Sequence, residues 1–211
     1  MPRHGAGGQN GEGYMNPRWG PPVQAPAPII GGLRGRSKLQ WGRVKVASIE
    51  SIARGLNDAS VPFVIVGGLA VVAHGYGRQT QDIDLVVPMD PGTVRGMFAA
   101  LARLGYAPRI PVAAEDVADP GTRARWIAER GMVVLAFHSE AHADTPVDVF
   151  MQEPFDFEAE HAAADIREIA PGLPVRIVRL ATLLSMKERA GRPQDRADVA
   201  ELLRIHGGRS G

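Results

Sequence analysis

The sequence predicts an α/β (α+β) domain, with a mixed central β-sheet flanked by helices and closed by a short C-terminal helical pair. Short β-branched or aromatic runs alternate with segments of helical apolar spacing. The runs "GMVVLAFHS" and "PVDVFM" are joined too briefly for a crossover, which makes them antiparallel neighbours in an otherwise alternating order. After the last strand-like run the chain reads as two helices, roughly 179–190 and 194–206.

Residues 1–40 are dominated by glycine and proline, and no apolar periodicity survives there. Such a segment buries too little surface to offset its ordering entropy, so it is expected to be a disordered tail, and a start at Met15 would leave the domain of residues 41–211 intact. Val44, Ile49, Ile52, Ala53 and Leu56 recur at helical spacing, closed by Asn57 and Asp58. "VPFVIV" then reads as a buried strand ended by Gly67-Gly68, and "LAVVAHGY" as a short helix. "DIDLVVP" is a second strand stopped by Pro88. "GTVRGMFAALARLG" places Val94, Met97, Phe98, Leu101 and Leu104 on one helical face. "YAPRIPV" suits an edge strand, whose prolines need not donate. Residues 115–130 are polar, broken by "DPG", and carry no assignable motif from 113 onwards. "DIREI" and "PVRIV", joined by "APGL", form a terminal hairpin before the closing helices from about 179.

At 211 residues, 45% hydrophobic and 22% charged, the chain has the composition of a soluble globular domain. It has no cysteine, which excludes disulfides, zinc–thiolate sites and thiol nucleophiles. Its longest apolar stretch is too short to span a bilayer, and a cytoplasmic protein without membrane association is expected. The net charge of +1 divides into +4 over residues 1–40 and −3 over the rest. A mildly acidic domain gives no sign of nucleic-acid binding. No G-x-S-x-G or Walker-type loop is present, which argues against an α/β-hydrolase or a P-loop NTPase.

The chemistry concentrates on three acids. In a strand Asp82 and Asp84 project from the same side, with Ile83 opposite. At roughly 6–7 Å separation their repulsion costs about 2–3 kcal/mol without a counter-ion. They are either solvated acids of an exposed edge or ligands of a hard cation such as Mg2+. Gly67-Gly68 is either a tight strand-to-helix turn or a place where free backbone N–H groups receive phosphate. Asp148, between Val147 and Val149, shares its face with Phe150. Three strand carboxylates with a Gly-Gly turn suit two-metal in-line displacement on a triphosphate.

"GG" after a strand, then "RQTQDIDL", then a distant "VDVF" resembles the DNA-polymerase-β-like nucleotidyltransferase superfamily, especially its small stand-alone prokaryotic members of the AbiEii toxin type. The closing "LATLLSMKERAGRPQDRADVAELL" resembles their lysine-containing and aspartate-containing helices, and the likeness covers about residues 60–206. It implies a nucleotidyltransferase fold and a transferase moving a nucleoside monophosphate from an NTP such as ATP to a hydroxyl of tRNA, protein or a small molecule. It implies Mg2+ (two ions, or Mn2+) on Asp82, Asp84 and Asp148, with Asp148 able to take the acceptor's proton. Gly67 and Gly68 would cradle the triphosphate, and Arg78 and Thr80 would contact phosphate or fix their loop. A toxin role with a cognate antitoxin, an antibiotic-modifying enzyme, a non-catalytic binding module and a phosphohydrolase are the rival expectations. The toxin-like relatives carry a larger helical region after the core than the two helices found here.

Lys187 continues the stripe of Leu180, Leu183 and Leu184, so it either snorkels outward or meets an acid or a triphosphate. Asp195, near the start of the last helix, and Asp198, one turn on, are expected to pair with Arg189, Arg192 or Lys187. His138 and His142, with Asp144 nearby, have i, i+4 spacing, but on a strand running into a loop this does not make a metal site.

Overall fold

A computed structural model describes residues 45–207; the expected tail lies outside them. Helix α1 (Val46–Asp58) leads into β1 (Val64–Ile65), α2 (Gly67–Ala73), β2 (Ile83–Val86) and α3 (Pro91–Arg103). Then come β3 (Ala107–Pro108), α4 (Ala114–Ala118), α5 (Pro120–Arg130), β4 (Val134–His138) and β5 (Val147–Phe150). The chain continues through α6 (Phe157–Ala163), β6 (Asp165–Ala170), β7 (Leu173–Ile177), α7 (Leu180–Ala190) and α8 (Pro193–Gly207). The strands form one sheet in the order β3-β4-β5-β2-β1-β7-β6. It is mixed, because β1 with β7 and β2 with β5 are parallel while the other neighbours are antiparallel. The expected α/β architecture is therefore the one found. Among the described residues, no helix is long and apolar enough to cross a membrane.

Alternation sets the two faces. Ile83, Leu85, Val147, Val149, Leu135 and Phe137 are buried, and register places them on one face. Helix α3 covers that face, its Phe98 ring meeting Phe137 edge-on at 5.2 Å. Each of these side chains contributes about 1.5–3 kcal/mol by burial. The opposite face carries Asp84, Asp148 and Ala136.

Three elements depart from the sequence expectation. The strand in "VPFVIV" is confined to Val64–Ile65, while Gly67-Gly68 opens α2 as expected. Residues 115–130 are largely helical: Asp119-Pro120 is the cap and first residue of α5, with the Asp119 carboxylate accepting from the Thr122 N–H at 2.6 Å. A Pro that looks like a breaker is a helix start when an aspartate precedes it. Helix α6 was not anticipated; Asp156 caps it by accepting from the Ala159 N–H at 3.0 Å.

Candidate active site

Strands β2 and β5 lie side by side in parallel, with Asp84 directly opposite Asp148. Asp82 falls just before β2. The expected acids thus come from two strands that the chain joins only through a long excursion. Burial, then repulsion from Asp82 and Asp148, pushes the Asp84 carboxyl up to about 6 against a partial offset from the Gly68 N–H and Lys187. Asp148 is raised too, by burial and then by Asp82, with Arg109 opposing. Each acid thus feels another's charge.

The glycines are explained by close approach. Gly67 has φ +60°, and a Cβ there would lie 1.7 Å from Asp84 Oδ2. A Cβ on Gly68 would lie 2.2 Å from Thr80 Oγ1, and the Gly68 N–H donates to Asp84 Oδ2 at 3.3 Å. The N–H expected to face phosphate is therefore engaged by the carboxylate. The Thr80 hydroxyl is buried, 3.4 Å from both the Asp82 carbonyl and Asp82 Oδ1.

Arg78 and Lys187 are held by the C-terminal helices. Lys187 is buried, its ammonium 2.9 Å from Asp195 Oδ1 and 2.8 Å from Asp198 Oδ2. Of the alternatives for this lysine, the structure shows an acidic partner rather than an outward pose. Arg78 Nη2 donates to Asp198 Oδ2 at 3.1 Å, and its Nε lies 2.8 Å from Asp198 Oδ1. Arg192 Nε donates to Asp195 Oδ2 at 2.6 Å. Burial alone would raise Asp195, but hydrogen bonds from Arg192 and Lys187 outweigh it and hold the carboxyl below its usual range. Arg189 instead reaches the carbonyls of Ser185 and Pro154.

The histidine pair is structural. His138 Nδ1 lies 3.0 Å from the Ala107 carbonyl, and His142 Nδ1 lies 2.9 Å from Ser48 Oγ. Arg109, exposed at the end of β3, had no signal in the sequence and emerges only because the sheet order brings its charge to Asp148.

Among the described residues, no three His, Cys, Asp or Glu side chains are already gathered as a metal set. The donor chemistry nonetheless suits a hard divalent cation. Asp84 and Asp148 are register partners; both carboxyls are raised by the Asp82 charge, Asp84 by Asp148 as well, and among the described residues neither has a salt bridge to relieve it.

No family model matches the chain, and no curated protein matches it in sequence. Solved structures do resemble it. The crystal structure of ANT(2'')-Ia in complex with adenylyl-2''-tobramycin is 19% identical, with a TM-score of 0.46 over 74% of this chain and 86% of that one. The solution structure of the antibiotic-resistance factor ANT(2'')-Ia is 22% identical, with a TM-score of 0.47 over 76% and 80%. An antigenic nucleotidyltransferase-like protein from Paracoccidioides brasiliensis is 17% identical, with a TM-score of 0.46 over 76% and 74%.

Proposed function

We propose that the protein is a metal-dependent nucleotidyltransferase, moving a nucleoside monophosphate from an NTP to a hydroxyl acceptor. The observation that carries this reading is the in-register pair Asp84 and Asp148, without a salt-bridge partner among the described residues, beside Asp82 and with Asp84 packed against the Gly67-Gly68 turn. A fold tolerates mutually repelling carboxylates where a cationic ligand offsets their cost.

Asp82, Asp84 and Asp148 would hold Mg2+ or Mn2+, which when bound would screen the triphosphate and favour charge development at the transferring phosphorus. The chain's own part is positioning and proton transfer. The acceptor oxygen bonds to the α-phosphorus, the bond to pyrophosphate breaks, and the hydroxyl proton passes to a carboxylate. Asp148 suits that last role by position, half-buried on β5 and directly opposite Asp84. Arg78 acts by fixing the loop before the acids, through Asp198, rather than by touching substrate.

Incubation with labelled NTP, Mg2+ and a panel of tRNA, protein and small-molecule acceptors tests the reading. Label transfer is expected, falling at least about a thousandfold in Asp82→Asn or Asp84→Asn. Transfer that survives either substitution removes the site assignment. Phosphate release without any acceptor would indicate a phosphohydrolase instead.

A further inference from the structure

The faces of the sheet are unequally covered at its β3–β4–β5 end. Leu135, Phe137, Val147 and Val149 are buried on the face under α3. On the other face Val134, Ala136, Asp148 and Phe150 are only half-buried, and Arg109 is exposed. Asp84 is opposite Asp148, Asp148 is opposite Ala136, and the Arg109 N–H donates to the Ala136 carbonyl at 2.8 Å. Alternation from the Ala107–His138 partnership puts Arg109 on this same face. A row therefore crosses four strands: carboxylate, carboxylate, methyl, guanidinium.

Arg109 differs from the other arginines near the acids. Arg78 is paired with Asp198 and Arg192 with Asp195. Among the described residues, the Arg109 guanidinium has no hydrogen-bond partner and no carboxylate within ion-pair distance. Its charge reaches Asp148 without forming a salt bridge. An unpaired cation two strand spacings from the acid, about 10 Å, with only an alanine between them, is a place for an anion on a short spacer.

We propose that this open strip seats the acceptor, and that the acceptor is a nucleotide-sized alcohol carrying one phosphate, read by Arg109, with its hydroxyl against Asp148. The proposal rests on the nucleotidyltransferase reading above and names its substrate class. The strip offers one unpaired cation, which matches one phosphate. The −3 balance of residues 41–211 works against a long polyanion. In the reaction the hydroxyl oxygen bonds to the α-phosphorus of the NTP, pyrophosphate leaves with the electron pair of the broken bond, and the proton goes to Asp148; the acceptor's own phosphate is unchanged.

The test uses the full chain with Mg2+ and labelled NTP. The acceptors are a nucleoside monophosphate, the matching nucleoside, a short single-stranded oligonucleotide and a cationic aminoglycoside. The monophosphate is expected to be the best acceptor. Arg109→Glu is expected to raise its KM about tenfold or more, and Arg109→Lys to recover part of that, while calorimetry shows Mg–NTP affinity not weakened, since the lost positive charge opposes a cation at Asp148. Because Arg109 is exposed and unpaired, neither variant threatens folding. An unchanged acceptor KM in Arg109→Glu overturns the proposal, as does equal labelling of the nucleoside or the aminoglycoside. A strong preference for the oligonucleotide overturns its single-phosphate form. If the wild type binds no Mg–NTP, the transferase reading falls; calorimetry of the monophosphate alone then decides the phosphate site, which stands if binding depends on Arg109 and falls if it does not.

Discussion

Asp84 and Asp148 on the sheet, and Asp195 and Asp198 on α8, are two sets of desolvated aspartates held in opposite ways. The helical pair is clamped by Lys187, Arg78 and Arg192, and Asp195 is pulled below its usual range. Among the described residues the sheet pair has no salt-bridge partner, and both members are raised. Burial alone thus does not decide which way a carboxyl shifts; the presence or absence of a counter-charge does. The helical cluster also leans on the other. It holds three cations against two carboxylates, and the surplus is felt at the sheet, where Lys187 eases Asp84 and Arg192 responds to Asp84 and Asp82. The C-terminal helices are a clasp that fixes the loop before β2 and biases the field at its acids.

The contrast breaks most visibly at Asp198. Asp198→Ala leaves Lys187 and Arg78 without their shared carboxylate, and a buried charge robbed of its partner costs about 3–5 kcal/mol. Urea denaturation should show that loss, with the Arg78 loop exchanging amide hydrogens faster. A change below about 1 kcal/mol would mean the clasp is dispensable.

Asp84→Asn should act in the opposite direction. The folded-state carboxyl titrates near 6 instead of 3.8, so between about pH 4 and 6 the folded state binds more protons than the unfolded one. Wild-type stability therefore declines as pH rises through that window, by about 3 kcal/mol in total. The asparagine variant lacks this contribution, so the two proteins diverge across the window and the variant is the more stable at pH 7. Parallel stability curves for both proteins in a pH series of unfolding titrations would show that Asp84 bears no such cost.

These regions were unequally legible in the sequence. Asp82, Asp84 and Asp148 could be picked out because acids interrupting β-branched runs are conspicuous, and strand alternation gives their faces without further knowledge. Their pairing could not, because the register of β2 against β5 is a non-local choice made by the whole sheet. Lys187 was conspicuous as a lysine in an apolar stripe, but its partners depend on how α8 folds back at Gly191, whose φ of +63° makes the turn. Arg109 gave no signal at all: an arginine between prolines reads as solvated surface until the order β3-β4-β5-β2 brings it towards Asp148. Residues 113–130 were opaque for a different reason, since a polar helix behind an Asp-Pro cap shows little apolar periodicity.

Arg192 provides the finest test, because it belongs to the clasp by contact and to the acid site by charge. Its side chain is 75% exposed, so its pair with Asp195 is largely screened, and Lys187 still holds that carboxylate when the guanidinium is gone. Arg192→Ala should therefore shift stability by less than about 1 kcal/mol, far below the effect of Asp198→Ala. Its second effect falls on the sheet acids, which lose a nearby positive charge. The descending limb of wild-type stability attributed to Asp84 should then become steeper or extend to higher pH in the variant. A large loss of stability would place Arg192 among the structural charges, and an unaltered pH profile would show that the clasp and the acids are electrostatically independent.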